Sequence, residues 1–263
     1  MGDTMSQVLI VIFAERHYYP KQTIPEHMDD GISQRTSLLI GEEGIRILKD
    51  SFVVLAGVGA VGGYVLEGLV RAGIGHIRVV DSDVFSESNL NRQILATTDT
   101  IGRRKVEVAA ERARSINPDI DIEIMDSMVS ADTVPDILSG DIDALVDAID
   151  TVEHKVSLLR HAAENGIVTF SSMGAALHFD TTAIKVATLK KTSTCPLAAS
   201  VRSRLRDLDT GNITCVYSTE PVLVKPSERD DHGKSILGSL PTVPAVFGMT
   251  LANEVIRHLL SKN

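Results

Sequence analysis

Phe52-Val-Val-Leu-Ala-Gly57-Val-Gly-Ala-Val-Gly62 is the stretch whose reading decides the fold. Five largely apolar residues run straight into a Gly-x-Gly-x-x-Gly turn. An apolar helical stretch, Tyr64 to Ala72, follows it, and then a β-like run, His76-Ile-Arg-Val-Val80, that ends in Asp81-Ser-Asp83. Strand, glycine turn, helix, strand and acid, in that order, make a nucleotide-binding βαβ unit. Gly57 permits the tight turn off the strand, Gly59 lets the backbone approach a phosphate, and Gly62 lets the helix pack against the strand. The helix N-terminus then points amides and a favourable dipole at the phosphate. Asp81, about 20 residues on, suits a ribose diol. Glycines alone fit a turn in any α/β protein; the flanking strand, helix and acid strengthen the nucleotide reading.

Working outward, hydrophobic residues make up 43% of the 263 and charged residues 23%, as in a soluble globular protein with a full core. The formal net charge of −9 argues against a general nucleic-acid coat, so any RNA contact must come from a local basic surface. Trp is absent and aromatics are few, which leaves base stacking to Phe, Tyr, His or Arg. The two cysteines, Cys195 and Cys215, form no Cys-x-x-Cys pair. That pattern disfavours a thiolate zinc site and a disulfide framework and fits a reducing, cytoplasmic compartment. No uncharged run reaches the length of a membrane span, and Val8 to Phe13 has no basic lead-in or cleavage site of a signal peptide, so no integral membrane insertion is expected.

Residues 1–30 look unlike the rest and read as a disordered N-terminal extension, with Met28 a candidate start; residues 31–263 read as a single domain. Glu42 to Lys49 forms a short helix with Ile45 and Leu48 on one face. Gly102 to about Ile116 reads as a helix with an apolar stripe, and Asp121 to Met125 as a strand. Ala144 to Ile149 is a buried parallel strand ending at Asp150, followed by a helix from Glu153 to Asn165 and a strand from Ile167 to Phe170. After Ser171 the alternation weakens. Short strands at 183–187 and 214–218, a helix at 196–206 and a mobile loop from Pro226 to Ser239 are expected. Val243 to Leu260 reads as an amphipathic or buried helix. The fold class is therefore α/β: a Rossmann-like, mostly parallel sheet flanked by helices, with an irregular C-terminal half.

The charged residues near the turn point past a redox cofactor. Asn89, Arg92 and Gln93 follow the acids, Lys105 opens the next helix, and Asp150 ends a later strand. Singly, Arg92 reads as a loop charge, Lys105 as an exposed helix residue and Asp150 as a helix N-cap. Together they suit a reaction expelling pyrophosphate, in which several negative charges are neutralised as the leaving group departs. An acid such as Asp150 can also hold Mg²⁺ on the phosphates.

With these residues the chain resembles the ubiquitin-activating-enzyme-like, ATP-dependent adenylating superfamily, which includes the sulfur-carrier activating enzymes. The resemblance lies in Gly57-x-Gly59-x-x-Gly62, Asp81-x-Asp83, Ser88-Asn-Leu-Asn-Arg-Gln93, Gly102-x-x-Lys105-Val and Asp147-Ala-Ile-Asp150. It implies that residues 31–263 are one ATP-binding adenylating domain. ATP is then bound at Gly57, Gly59, Gly62, Asp81, Asp83, Asn89, Arg92 and Lys105, with Mg²⁺ at Asp150. It further implies that Arg35 reaches the ATP site of a neighbouring subunit in a homodimer, so that Arg92, Lys105, Asp150 and Arg35 are the catalytic set.

Within the superfamily the chain is most similar to the bacterial tRNA threonylcarbamoyladenosine dehydratase branch. Arg35 to Gly44, Cys195-Pro-Leu-Ala-Ala199, Val216-Tyr-Ser218 before Glu220, and Gly238-Ser-Leu-Pro241 carry that similarity. Gly174-Ala-Ala-Leu-His-Phe-Asp180-Thr181 departs from the branch by lacking a Pro after the Asp. The implied activity is ATP-dependent cyclisation of threonylcarbamoyladenosine in tRNA. The alternative is adenylation of the C-terminal carboxylate of a small sulfur-carrier protein. An NAD-linked dehydrogenase is a further reading, but it leaves Arg92 and Lys105 without a task. A bound monovalent cation and a partner from a cysteine-desulfurase/sulfur-acceptor system stay open. Arg202 and Arg206, i and i+4 on one expected helix face, are candidate tRNA contacts, against a plain solvated face. Cys195 is either a reactive thiol at a helix start or a packed one, and Cys215 reads as core.

Overall fold

The structure, a computed structural model, describes residues 31–222, 229 and 236–262. The extension expected at 1–30, the Met28 start and most of the loop expected from Pro226 to Ser239 lie outside the described residues. Strands β1 (Phe52–Ala56), β2 (His76–Val80), β3 (Asp121–Met125), β4 (Ala144–Asp147), β5 (Thr169–Ser172), β6 (Ile184–Thr188) and β7 (Ile213–Ser218) form one sheet in the order β3-β2-β1-β4-β5-β7-β6. All pairings are parallel except β6 with β7, which is antiparallel.

The central strand shows why its sequence is apolar without alternation. Val53 and Leu55 face a core that includes Val65 of α2 (Gly62–Ala72), Val106 of α3 (Lys105–Ile116) and Phe247 of α7 (Thr242–Leu260). Val54 and Ala56 face the other side, where Val134 and Ile137 of the short α4 (Val134–Ile137) and Leu158 of α5 (Val152–Glu164) pack. A strand covered on both faces has no solvent side on which to place polar residues. A third cluster lies beyond it, where Leu159 of α5 meets Val201 of α6 (Pro196–Arg204) and Cys215 of β7.

Several expected boundaries shift. The first helix, α1 (Gln34–Asp50), begins well before Glu42 and is kinked at Gly41, whose φ of 74° and ψ of 171° suit a residue without a Cβ. Helix α2 starts at Gly62 rather than Tyr64, and α3 at Lys105 rather than Gly102. Strand β4 ends at Asp147, so Asp150 lies three residues past the strand, beside the start of α5. Strand β5 is Thr169–Ser172, displaced toward the C-terminus, because Val168 and Ile167 lead in from the Gly166 turn, where φ is 67°. The C-terminal half is more regular than expected, since β6 and β7 extend the same sheet.

Helix α7 crosses α2 at close range through two glycines. A Cβ on Gly248 would meet the Val61 carbonyl oxygen at 2.5 Å and Tyr64 Cβ at 2.6 Å, and one on Gly68 would meet Ala252 Cβ at 2.7 Å. Gly248→Ala is expected to force the two helices apart and lower the urea unfolding free energy by about 1–3 kcal/mol. An unchanged midpoint would mean that the crossing relaxes freely.

Candidate active site

The parallel strands all end on one edge of the sheet, and the charged residues singled out in the sequence gather there. Gly57 leaves β1 with φ 91°, its amide donating to the Val80 carbonyl at 2.7 Å. A Cβ on Gly57 would press on the Ala148 carbonyl oxygen at 2.9 Å, and one on Gly62 would lie 1.8 Å from the Gly57 oxygen. Both positions therefore exclude a side chain. The turn is closed by Asp81: its Oδ2 accepts the Val58 amide and its Oδ1 the Asp83 amide, each at 2.9 Å. The backbone thus donates one bond to each carboxylate oxygen, and each oxygen keeps further acceptor capacity.

Lys105 does not lie on a solvated helix face. Its side chain is buried, its Nζ donates to Asp83 Oδ2 at 2.8 Å, and its amide donates to the Asp83 carbonyl at 3.0 Å. The turn at 86–93 is built by its own side chains. The Ser86 amide donates to Asn89 Oδ1 at 3.2 Å, while Arg92 donates to the Ser88 carbonyl at 2.7 Å and to Asn91 Oδ1 at 2.8 Å. Gln93 is 7% exposed, and its amide lies nearest to the Cβ that Gly59 lacks, at 3.8 Å. Its Oε1 is buried without a hydrogen-bond partner. An unmet buried acceptor costs about 1–3 kcal/mol, and an amide whose two ends exchange by a simple flip can offer either a donor or an acceptor to a ligand. The sequence motif contained Gln93 without assigning it a task.

Asp150 is exposed at the mouth of α5, where its Oδ1 accepts the Thr151 hydroxyl at 3.1 Å. Beneath it lies a feature that sequence reasoning missed. Lys155 and Asp147, both 0% exposed, meet at 2.5 Å. Lys155 Nζ also donates to the Ser172 carbonyl at 2.9 Å and to Ser171 Oγ at 3.3 Å, while Asp147 Oδ1 accepts the Ile149 amide at 3.1 Å. The pair therefore ties the ends of β4 and β5 to the first turn of α5 and sets the backbone leading to Asp150. Its only local signal was an acid closing an apolar run.

Other expected residues lie apart from this group. Arg35 is exposed on the part of α1 that precedes the Gly41 kink, and no described hydrogen bond or ion pair joins it to the turn. The helix carrying Arg202 ends at Arg204, so Arg206 falls in the following turn and the two do not share a helix face. Arg202 donates to the Thr192 hydroxyl, and Arg204 pairs with Glu153. Cys195 and Cys215 are buried, and burial pushes the Cys215 thiol up to about 12. Among the described residues no cluster of three or more His, Cys, Asp or Glu could hold a metal unaided, and no helix is long and apolar enough to cross a membrane. A cleft of about 350 Å³ between Val168, Asn212 and His258 lies at the opposite edge of the sheet, remote from these charges.

These features define a nucleotide-binding α/β protein with cations and an acid grouped around a glycine turn. Residues 33–263 match the ThiF family, and the chain belongs to it. It is 33% identical to the tRNA threonylcarbamoyladenosine dehydratase of Bacillus subtilis over 86% of this chain and 93% of that protein. The structure of the Escherichia coli tRNA N6-threonylcarbamoyladenosine dehydratase, TcdA, in complex with ATP superposes with a TM-score of 0.80 and 34% identity, covering 90% of this chain and 98% of that one. The sulfur carrier protein ThiS adenylyltransferase of Bacillus subtilis is 36% identical, but over 49% of this chain and 38% of its own length.

Removing one partner of a buried ion pair strands the other charge. Lys155→Met is therefore expected to cost about 3–5 kcal/mol in urea unfolding, and adding Asp147→Leu should recover most of it. A single variant as stable as wild type would show the pair to be dispensable. Burial also holds His178 and His258 below the usual histidine value. The unfolded chain then binds protons that the fold refuses, so stability rises with pH from the lowered folded values up to about 6.5 and falls on acidification through that window. His178→Asn should flatten this slope in unfolding measured between pH 5 and 7.5; an unaltered slope would assign it to other groups.

Proposed function

We propose that this chain is an ATP-dependent dehydratase that cyclises N6-threonylcarbamoyladenosine in tRNA by adenylating its carboxylate. The observation that carries the reading is the clustering of a phosphate-approaching glycine turn, Asp81, Arg92 and Lys105 on one strand edge, with Asp150 beyond the neighbouring strand. The similarity to relatives of that name over most of both chains supports it.

The chemistry agrees with the residues. Hydroxide leaves a carboxylate very poorly, so the carboxylate oxygen first attacks the α-phosphorus of ATP, forming an acyl-adenylate and releasing pyrophosphate. A carbamoyl oxygen or nitrogen of the same nucleoside then attacks the acyl carbon and expels AMP, so the nucleoside loses the elements of one water, the oxygen leaving on AMP and a proton passing to solvent. Tethering of that nucleophile can supply about 7–11 kcal/mol, so no enzyme nucleophile is required. In this reading Gly57, Gly59 and Gly62 admit the phosphates and Asp81 takes the ribose. Asn89, Arg92 and Lys105 meet the developing charge, and Asp83 steers Lys105. Gln93 offers its unmet amide to the same region. A Mg²⁺ ion, which needs few protein carboxylates when phosphates are present, would be held by Asp150 and would neutralise charge on the departing pyrophosphate.

The enzyme is proposed to be a cytoplasmic homodimer, with Arg35 reaching the partner's site and Arg202 and Arg206 near the tRNA. No described residue is assigned to a monovalent cation or to a sulfur-transfer partner. Carrier-protein adenylation is the weaker reading, because the chain lacks paired cysteines and the ThiS-activating relative matches only part of it.

Incubation with ATP, Mg²⁺ and threonylcarbamoyladenosine-bearing tRNA should give a nucleoside lighter by one water, with AMP and pyrophosphate. Lys105→Met and Arg92→Ala should each lower kcat/KM by roughly 10²–10³. Cys195→Ser should keep full cyclising activity. Pyrophosphate exchange stimulated by a carrier protein and not by tRNA would overturn the assignment.

A further inference from the structure

The loop after β5 presents an aromatic ring to solvent under close restraint. Phe179 is 77% exposed, and among the described Phe and Tyr residues it is the one that is exposed rather than buried or half-buried. Its neighbours are fixed. The amides of Phe179 and Asp180 both donate to Glu220 Oε2 at 2.9 Å, and His178 is buried. Leu177 adopts φ 64° and donates its amide to the Gly238 carbonyl at 2.9 Å. Isolated exposed apolar side chains are ordinary on protein surfaces. Here, however, a left-handed leucine and two amides on one carboxylate hold the ring outward, at a cost in backbone strain.

The location of this loop gives the ring a context. Beyond Gly238, the Ser239 carbonyl accepts Asn91 Nδ2 at 3.0 Å, and Asn91 in turn accepts from Arg92. Hydrogen bonds through residues 238–239 thus link the aromatic loop to the cationic turn on the same edge of the sheet. RNA-modifying proteins read single-stranded bases by stacking them on aromatic rings, and every base offers a π-face.

We propose that Phe179 is a stacking platform for a nucleobase of the tRNA substrate, held beside the ATP-binding edge by Glu220 and the left-handed Leu177. The proposal rests on the dehydratase reading above. It also gives a use to the segment where the sequence departs from the dehydratase branch.

The chain contains no tryptophan, so Phe179→Trp introduces a single tryptophan at the proposed contact, whose emission can be excited apart from that of the tyrosines. Its emission should be quenched on titration with threonylcarbamoyladenosine-bearing tRNA and be unaffected by ATP alone. Phe179→Ala should raise KM for that tRNA by about tenfold, within the range of base–aromatic stacking. The KM for ATP should change less than twofold, and Phe179→Trp should stay near wild type in both. If wild type dehydrates the tRNA while Phe179→Ala keeps its KM, the platform is refuted and the dehydratase reading survives. If wild type does not act on tRNA, both fall together. A blue shift of the tryptophan emission with rising protein concentration and no RNA would make this a protein contact and overturn the proposal.

Discussion

A lysine ammonium sealed inside the protein organises the edge where the chemistry is proposed to occur. Lys155 meets Asp147 with no solvent access to either, and both must be desolvated for the fold to form. Such a pair is a poor source of stability, since packed apolar residues in its place are often as stable. What it does supply here is direction. Its side-chain hydrogen bonds fasten the first turn of α5 to β4 and β5, two strands that the sheet ladder already pairs. The neighbouring Ala148 carbonyl lies against Gly57, so the position of β4's end is transmitted to the glycine turn.

The turn itself is a matter of exclusion as much as attraction. Gly57 and Gly62 approach so closely that either side chain would collide with backbone, whereas Gly59 faces the amide of Gln93 with space to spare. The same three glycines that serve a dinucleotide in redox enzymes here stand beside Lys105, locked to Asp83, and Arg92, folded onto its own turn. In the described arrangement both cations already have oxygen partners. Phosphate oxygens would therefore compete with existing bonds rather than meet bare charges.

Much of this could be read from the sequence because local rules governed it. The first βαβ unit follows from an apolar strand, a glycine turn and an acid at fixed spacing, and the fold agrees there to within two residues. Strand β5 was misplaced because Ile167 and Val168 have strand-like side chains yet serve as the approach from a left-handed glycine. The helix at Arg35 was missed because Gly41 interrupts its apolar pattern, and that glycine is a kink rather than an end. Lys155 leaves no local pattern in the sequence, because its partners come from two strands, one of them 16 and 17 residues later. Arg202 and Arg206 have the spacing of one helix face, but α6 stops at Arg204 and the spacing loses its meaning there.

The crossing of α7 over α2 has a consequence for how the protein is made. Helix α2 begins at the glycine turn and belongs to the first third of the chain, while α7 follows the last strand of the sheet. Val65, Leu66 and Leu69 share one core with Val243, Phe247 and Leu251. During synthesis the nucleotide turn thus leaves the ribosome well before the surface that covers its helix. Contacts so distant along the chain close late and slow folding. The segment that carries the site must wait, with an uncovered apolar face, until α7 has been made.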